Sequence, residues 1–549
     1  MNDDKNVDKN KPKVREEQQA QKEIIAEQKQ QVRQEKQEKN QKKGIFNRFL
    51  DVVERVGNRL PHPVTLFVLF SLAVIIVSFF AEQAGMAVSF ERIDVATGEL
   101  EEVVVEAVSL LSVEGIRRIF SEAVTNFTGF APLGTVLVAM LGVGVAEGTG
   151  LIQASLRKLV LSTPQKLVTA VVVFAGIMSN IASDAGYVVL VPLGALIFLS
   201  FGRHPLAGLA AAFAGVSGGF SANLLVGTID PLLGGISQQA AQMWQPDYTV
   251  DPTANWYFMI ASTVLITALG TIVTEKIVEP RLGVYHGDAE VKIEQVAAHE
   301  TKGLKWAGIS LMVFIAVMLA LVAPPNAVLR ADDGQILAGS AFLAGLVPII
   351  ALFFLVPGIA FGIGSGSVKN DKHVADFMGK SMATMGGYIV LAFAAGQFVA
   401  YFSWSNLGTI LAVNGAEFLE ATGMTGIPML IGFIILSGFI NLFIGSASAK
   451  WAIMAPVFVP MLMAVGYTPE LTQLAYRIGD SVTNIITPLM AYFAIIVAFA
   501  QRYDEDTGIG TLISAMLPYS IIFLAGWTIL FVGWALLGLP LGPGVSMFY

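Results

Sequence analysis

The chain has 549 residues, of which 54% are hydrophobic and only 14% charged, with a net charge of −8. An ordinary soluble domain carries about 25% charged residues, so this composition excludes a cytosolic enzyme, a nucleic-acid binder and a disordered scaffold. It leaves an all-α polytopic membrane protein, because the apolar segments lack the period-two alternation of membrane β-strands. There is no cysteine, which removes disulfides, thiolate metal sites and a Cys nucleophile. The five histidines, His62, His204, His286, His299 and His373, stand in the tail, in loops or at segment ends, so a buried histidine relay is not expected.

In chain order, residues 1–43 hold twelve Lys/Arg and nine Asp/Glu and almost nothing apolar. They read as a disordered, solvated tail. A first span near 62–80 follows Lys42, Lys43, Arg48, Arg55 and Arg59, which by the positive-inside rule places the N-terminus in the cytoplasm of an inner-membrane protein. An acidic outside loop over 81–119 completes a region 44–130. The stretch 131–274 contains a span near 131–150, a long apolar run over 167–200 interrupted at 179–184, a span over 206–240 broken at 217–223, and a span over 254–274. A linking region, 275–384, has a basic loop and spans near 305–323 and 337–357. The stretch 385–540 repeats the order: a span over 385–402, a run over 427–465 interrupted at 445–450, a span over 470–500 broken at 479–484, and a last span over 511–538. The sum is about nine spans plus two re-entrant hairpins, with the C-terminus outside. Broken backbone at membrane depth survives only when shielded by protein or lining an aqueous cavity.

The two interrupted regions correspond in spacing. Asn180 to Asn223 and Asn441 to Asn484 both span 43 residues, with an offset of 261 that also carries Gly218 onto Gly479. The positive-inside pattern has the first hairpin entered from inside and the second from outside, so the halves are inverted repeats. Inverted repeats whose broken helices meet near the midplane are a construction of secondary transporters.

Asp184, Lys450, Arg477 and Asp480 are ionisable residues within apolar segments, with Asp230 nearer a segment end. Each costs roughly 2.5–3.5 kcal/mol at a helix centre, so each needs a partner or a watery site. Arg477 and Asp480 are three apart and share a helix face. Two readings stand: a mutual salt bridge, or a switchable pair in which Arg477 grips a solute carboxylate. Trp451, beside Lys450 at the second hairpin tip, is either an interfacial anchor or a ring that stacks on an aromatic solute. The tip serines Ser446 and Ser448 complete this candidate solute site. Hard oxygen donors for Na⁺ are found at Ser179, Asn180, Ser183, Gly218 and Asn223, and again at Thr483 and Asn484; H⁺ is the other candidate coupling ion.

Enzyme readings fail on their partners. The motif at 215–218, Gly-Val-Ser-Gly, resembles an intramembrane serine protease, but no histidine lies in an apolar segment to act as base. The glycine-rich run at 362–367 lacks the Gly-Lys-Ser/Thr ending of a phosphate loop. With no ATPase motif, an ion gradient is the expected energy source; a passive channel is the alternative of another class.

Four motifs, ASDAGYVVLVPLGALIF at 182–198, GVSGGFSANLLVGTIDPLL at 215–233, NLFIGSASAKWAIMAPVFVPML at 441–462 and YRIGDSVTNIITPLMAYF at 476–493, closely resemble the AbgT family of p-aminobenzoyl-glutamate transporters over 45–540. The resemblance implies a homodimer, each protomer having nine spans and two hairpins around a bowl open to the cytoplasm. It also implies transport of p-aminobenzoyl-glutamate, by uptake or efflux, and export of sulfonamide antimetabolites. Asp184, Asn441, Trp451, Pro469, Arg477 and Asp480 match the family's functional positions. An aniline ring suits Trp451, and carboxylate or sulfonamide oxygens suit Arg477.

Overall fold

The computed structural model describes residues 61, 63–93, 100–182, 185–285, 296–336, 340–423, 426–490 and 492–548. The expected tail at 1–43, with Ser183 and Asp184 of the first hairpin tip, lies outside the described residues.

The first helix, α1 (Pro63–Gln83), leads to a two-stranded antiparallel ribbon of β1 (Ala87–Ile93) and β2 (Leu100–Glu106), paired from Ala87 with Glu106 to Ile93 with Leu100. This ribbon lies in what the sequence presented only as an acidic loop. Two short helices, α2 (Val113–Ser121) and α3 (Ala123–Thr128), follow. The next helix, α4 (Ala131–Gly148), bends by 60° into α5 (Leu151–Leu161). Gly150, at φ 92°, supplies the left-handed residue at the bend, a conformation in which glycine carries no Cβ penalty.

The first hairpin is α6 (Val168–Ser179) and α7 (Ala185–Ser200). Its broken partner is α8 (Pro205–Phe213), a π-turn over Ala214–Gly218, an irregular stretch, and α9 (Ile229–Ala241). Then come α10 (Trp256–Val273), extended by a π-turn to Leu282, α11 (Ala298–Val322) and α12 (Leu346–Ser365). α12 starts nine residues later than the sequence suggested. α13 (Asp371–Thr384) is polar and not one of the expected spans, α14 (Gly386–Trp404) is apolar, and α15 (Leu407–Ala421) was also not expected.

The second hairpin is α16 (Gly426–Asn441) and α17 (Ala447–Ala464). Its broken partner is α18 (Pro469–Asn484) and α19 (Phe493–Gln501), and α20 (Ile509–Leu536) closes the bundle. The expected break at 479–484 is corrected: α18 is regular through Asn484, and the chain is out of the helix over 485–490. Pro488 accounts for the later position, since proline has no N–H and disfavours helix at the residue before it.

Among the described residues seven helices are long and apolar enough to cross a membrane, or eight with the bent α4–α5 pair. One of the seven is the hairpin arm α17, and neither broken helix has a half that passes alone. The count of nine therefore depends on reading α8–α9 and α18–α19 each as one interrupted span.

The two halves share their packing devices. A Cβ on Gly215 would lie 2.3 Å from the Val173 carbonyl oxygen, and one on Gly479 would lie 2.2 Å from the Ile434 carbonyl oxygen. Val173 and Ile434 are themselves 261 apart. Only glycine lets the broken helix approach its hairpin arm this closely. Each hairpin tip also abuts the break of its own half: Gly227 against Asn180 and Ile181, and Gly445 against the backbone of Leu489. The halves then exchange partners, with α9 packed on α17 and α19 on α7. At the crossing, Ser221 N donates to Ser481 Oγ at 3.1 Å, and Tyr187 stacks on Tyr492 with ring centroids 4.7 Å apart.

Candidate functional site

α18 has the composition of a surface helix and the position of a core one. Every residue from Pro469 to Asn484 except Thr483 is buried, including Glu470, Gln473, Arg477 and Asp480. Polar groups withdrawn from water cost several kcal/mol unless matched, so the neighbours of α18 must supply partners.

They do so on different sides. Lys450 Nζ of α17 lies 2.7 Å from Asp480 Oδ1, and Arg477 Nη1 lies 2.7 Å from Asp230 Oδ1 of α9; none of the four is more than 2% exposed. Of the two readings of Arg477 and Asp480, the mutual salt bridge is not formed. Residues three apart on a helix are turned about 60° from one another, enough for Arg477 to face α9 while Asp480 faces α17. Asp230, which the sequence placed near a segment end, is the counter-ion that binds the first half to the second. Its Oδ2 accepts from Gly227 N at 2.7 Å, which ties the carboxylate to the first break. The contact is an ion pair by distance without hydrogen-bond geometry: Asp230 Oδ1, like Arg477 Nε and Nη2, is buried without a hydrogen-bond partner among the described residues.

Trp451 is fully buried and is not an interfacial anchor. Its indole stacks on Tyr476 with centroids 4.4 Å apart, and Nε1 donates to Ser237 Oγ at 2.9 Å. Tyr476 thus occupies a face of the ring expected for a solute. Lys450 Nζ also sits 4.8 Å from the centroid of Tyr476. Ser446 caps α17 by accepting from Ala449 N, Ser448 is half-buried, and Pro469 opens α18 behind the cap Thr468.

Asn441 Nδ2 donates to Asn484 Oδ1 at 2.7 Å, to the Asp480 carbonyl at 2.8 Å and to Thr483 Oγ1 at 3.0 Å, while its Oδ1 is left without a partner among the described residues. The repeat-related Asn180 is buried with neither amide atom bonded among those residues, and the hydroxyl of buried Ser221 is likewise unbonded. Ser179 Oγ donates to the Gly176 carbonyl, and Asn223 Oδ1 accepts from Leu225 N. Gly218 ends the π-turn against Phe523 and Ile485. A cavity of about 310 Å³ opens beside Ser179, walled by Met178, Ile181, Leu304 and Phe353.

The structure therefore gathers Lys450, Trp451, Arg477, Asp480, Asn441, Thr483 and Asn484 around α18, and sets Ser179, Asn180, Gly218 and Asn223 at the first tip and break. Sequence reasoning passed over Tyr476, Ser237 and Gln473. Tyr476 carried a usable signal, being four residues before Asp480 and so on its helix face. Ser237 carried none.

A family model described as the AbgT putative transporter family matches residues 48–549. The p-aminobenzoyl-glutamate transport protein of Escherichia coli K12 is 40% identical over 493 residues, covering 90% of this chain and 96% of that protein. The crystal structure of the Alcanivorax borkumensis YdaH transporter, reported to have an unusual topology, superposes with a TM-score of 0.82 at 48% identity, over 88% of this chain and 100% of that one. Neisseria gonorrhoeae MtrF, described as illuminating a class of antimetabolite efflux pumps, superposes with a TM-score of 0.85 at 52% identity, over 91% of this chain and 100% of that one. Buried charges on a broken helix, matched hairpins and these likenesses lead to one assignment: this chain is a multi-pass membrane transporter, not an enzyme, and belongs to the AbgT family.

Proposed function

We propose that the protein is a secondary active transporter, driven by an ion gradient, for p-aminobenzoyl-glutamate and sulfonamide-type antimetabolites, working as an efflux pump. The observation that carries this reading is the buried guanidinium of Arg477, whose Nε and Nη2 have no hydrogen-bond partner among the described residues. A buried arginine with two spare donors suits planar, two-point recognition of a carboxylate or sulfonamide, and Asp230 is the anion that such a solute would displace. Trp451 and Tyr476 supply aromatic surface beside it. Asn441, Ser446, Ser448, Lys450, Pro469 and Asp480 frame the same region, and Asp184 remains a proposed member.

For coupling, the unbonded amide of Asn180 and the free Oδ1 of Asn441 favour a cation with oxygen ligands, such as Na⁺. Ser179, Ser183, Gly218 and Asn223 belong to the first such shell, Thr483 and Asn484 to the second. Protonation of Asp184 or Asp480 is the H⁺ form of the same reading. The protein is proposed to sit as a homodimer in the inner membrane with its N-terminus cytoplasmic. A second reading, uptake of p-aminobenzoyl-glutamate or a dicarboxylate, is favoured by the E. coli relative, named for p-aminobenzoyl-glutamate transport.

Flux into proteoliposomes tests this. Accumulation of p-aminobenzoyl-glutamate against its gradient, driven by imposed ΔpH or Na⁺ and lost in Arg477→Ala, is the expected result. Equilibration without accumulation identifies a passive channel. Coupled flux that survives both Arg477→Ala and Asp184→Asn refutes the site.

A further inference from the structure

The end of α18 that begins at Pro469 holds an acid the site above does not use. Three carboxylates are buried among the described residues: Asp230, Glu470 and Asp480. Asp230 faces Arg477 and Asp480 faces Lys450, whereas Glu470, 4% exposed, has no cation paired with it among those residues. What faces Glu470 is acidic or neutral. Tyr248 OH donates to its Oε2 at 2.9 Å, and Asp251 is the nearby titratable group. Both belong to residues 242–255, which cover this end of α18. Asp251 is itself half-buried, and burial holds its carboxyl above the usual range. Of the other elements packed on α18, α16 and α20 carry no charged side chain, and residues 541–548, bonded to Thr468, carry none. The helices α9 and α17 carry only Asp230 and Lys450, which are paired with Arg477 and Asp480.

An ionised Glu470 gains about 0.3–1 kcal/mol from the helix N-terminus, against a burial cost of several kcal/mol for a carboxylate without a cation. Binding a proton removes that cost. The surface is close, since Asp247 in the same covering segment is exposed.

The state of Glu470 also has a route to the solute region. Asn255 Nδ2 donates to the Glu470 main-chain carbonyl at 2.9 Å, and Asn255 Oδ1 accepts from Gln473 Nε2 at 2.8 Å. Gln473 Oε1 accepts from Ser237 Oγ at 2.6 Å, and Ser237 accepts from Trp451 Nε1 at 2.9 Å. Amides do not relay protons, so this chain transmits position. A shift in the first turn of α18 is felt at the indole.

We propose that Glu470 is a proton-binding site of the transport cycle, loaded from the face covered by residues 242–255, with its occupancy read at Trp451 through Asn255, Gln473 and Ser237. The proposal rests on the ion-driven reading above and names a group outside that reading's coupling residues.

The test uses the full-length protein in proteoliposomes. Flux of p-aminobenzoyl-glutamate is measured while the pH on the face of residues 242–255 is stepped from about 5.5 to about 8.5, which changes the proton concentration there about a thousandfold. The parent should show a pH-dependent rate. Glu470→Gln should lose that dependence, Glu470→Asp should keep it, and Tyr248→Phe should move its midpoint. A merely structural Glu470 would lower the rate at every pH and leave the profile in place. That outcome, or a Tyr248→Phe midpoint equal to the parent's, overturns the proposal. If the parent shows no gradient-driven flux, the transport reading fails instead. Infrared difference spectra of the purified protein across the same pH range then decide Glu470 alone: a carboxyl C=O band missing in Glu470→Gln supports it, and an unchanged band overturns it.

Discussion

Asp230→Ala removes the carboxylate 2.7 Å from Arg477 Nη1 and leaves the guanidinium, 1% exposed, inside the bundle. The Coulomb attraction at that distance is about 6 kcal/mol for an effective dielectric of about 20, and desolvation of the two ions offsets part of it. Two of the guanidinium nitrogens already lack partners among the described residues, so none of those residues stands ready as an alternative acceptor. Removing one member of such a buried pair costs about 3–5 kcal/mol, or roughly 10²–10⁴ in the folded-to-unfolded ratio. Replacing both members by apolar residues, Asp230→Leu with Arg477→Met, leaves no orphaned charge and should cost less than the sum of the single changes by about 2 kcal/mol or more. Unfolding of the purified protein in mixed detergent–SDS micelles measures both quantities. A single variant within about 1 kcal/mol of the parent, or a double variant equal to the sum of the singles, refutes the argument that this pair is buried and mutually dependent.

Gly479→Ala places a Cβ 2.2 Å from the Ile434 carbonyl oxygen and should destabilise by about 1–3 kcal/mol. Gly510→Ala, with nothing within 4 Å, is the matched control, and thermal midpoints of the two variants give the comparison. Trp451→Phe keeps the stack on Tyr476 but deletes the donor to Ser237, for a loss of about 0.5–1.5 kcal/mol; Trp451→Ala should cost about 3–5 kcal/mol, and equal losses in the same micelle assay would show that the stack contributes nothing. His204 accepts from Leu206 N through Nδ1, and burial, outweighing Glu279 and Asp504, pushes its pKa below 6.5. The folded state therefore binds fewer protons than the unfolded one as pH falls through 6.5, so this contribution is present above 6.5 and declines below it. Thermal midpoints between pH 7.5 and 5.5 should fall less steeply in His204→Asn than in the parent.

The spans were legible because lipid imposes long apolar runs on any helix that crosses it. α1, α10, α14 and α20 lie within a few residues of the runs read from the sequence, and α6 ends at Ser179 where the polar interruption begins. The second break was misplaced because a glycine followed by polar residues was read as an unwound segment. Gly479 instead provides the close approach to α16 within a regular helix, and the interruption waits for Pro488. Charge pairing was illegible for a related reason. Arg477 and Asp480 are close in sequence, but each found its partner on an element more than 25 residues away, and no local pattern encodes that choice. The ribbon β1–β2 was hidden by its charge: Glu101 and Glu102 belong to a loop by composition and to a strand by pairing.

The exchange of partners between halves bears directly on how such a molecule could cycle. α9 belongs to the first broken helix but packs on the second hairpin, and it carries Asp230 to Arg477. Any motion that draws the first break away from α18 must separate this pair and expose the cost of an orphaned buried arginine. On the proposed reading, an anionic solute removes that cost by presenting its own carboxylate or sulfonamide to the fork. Solute binding and release of α9 would then be a single exchange of anions on one guanidinium. Lys450 and Asp480, paired within the second half alone, are not separated by that motion. Asp230→Asn, which removes the resident anion without leaving a cavity, should therefore raise affinity for p-aminobenzoyl-glutamate while making turnover less dependent on the driving gradient. Equilibrium binding to the purified protein, compared with gradient-driven flux, checks it; unchanged affinity in Asp230→Asn would mean that solute and aspartate do not compete for Arg477.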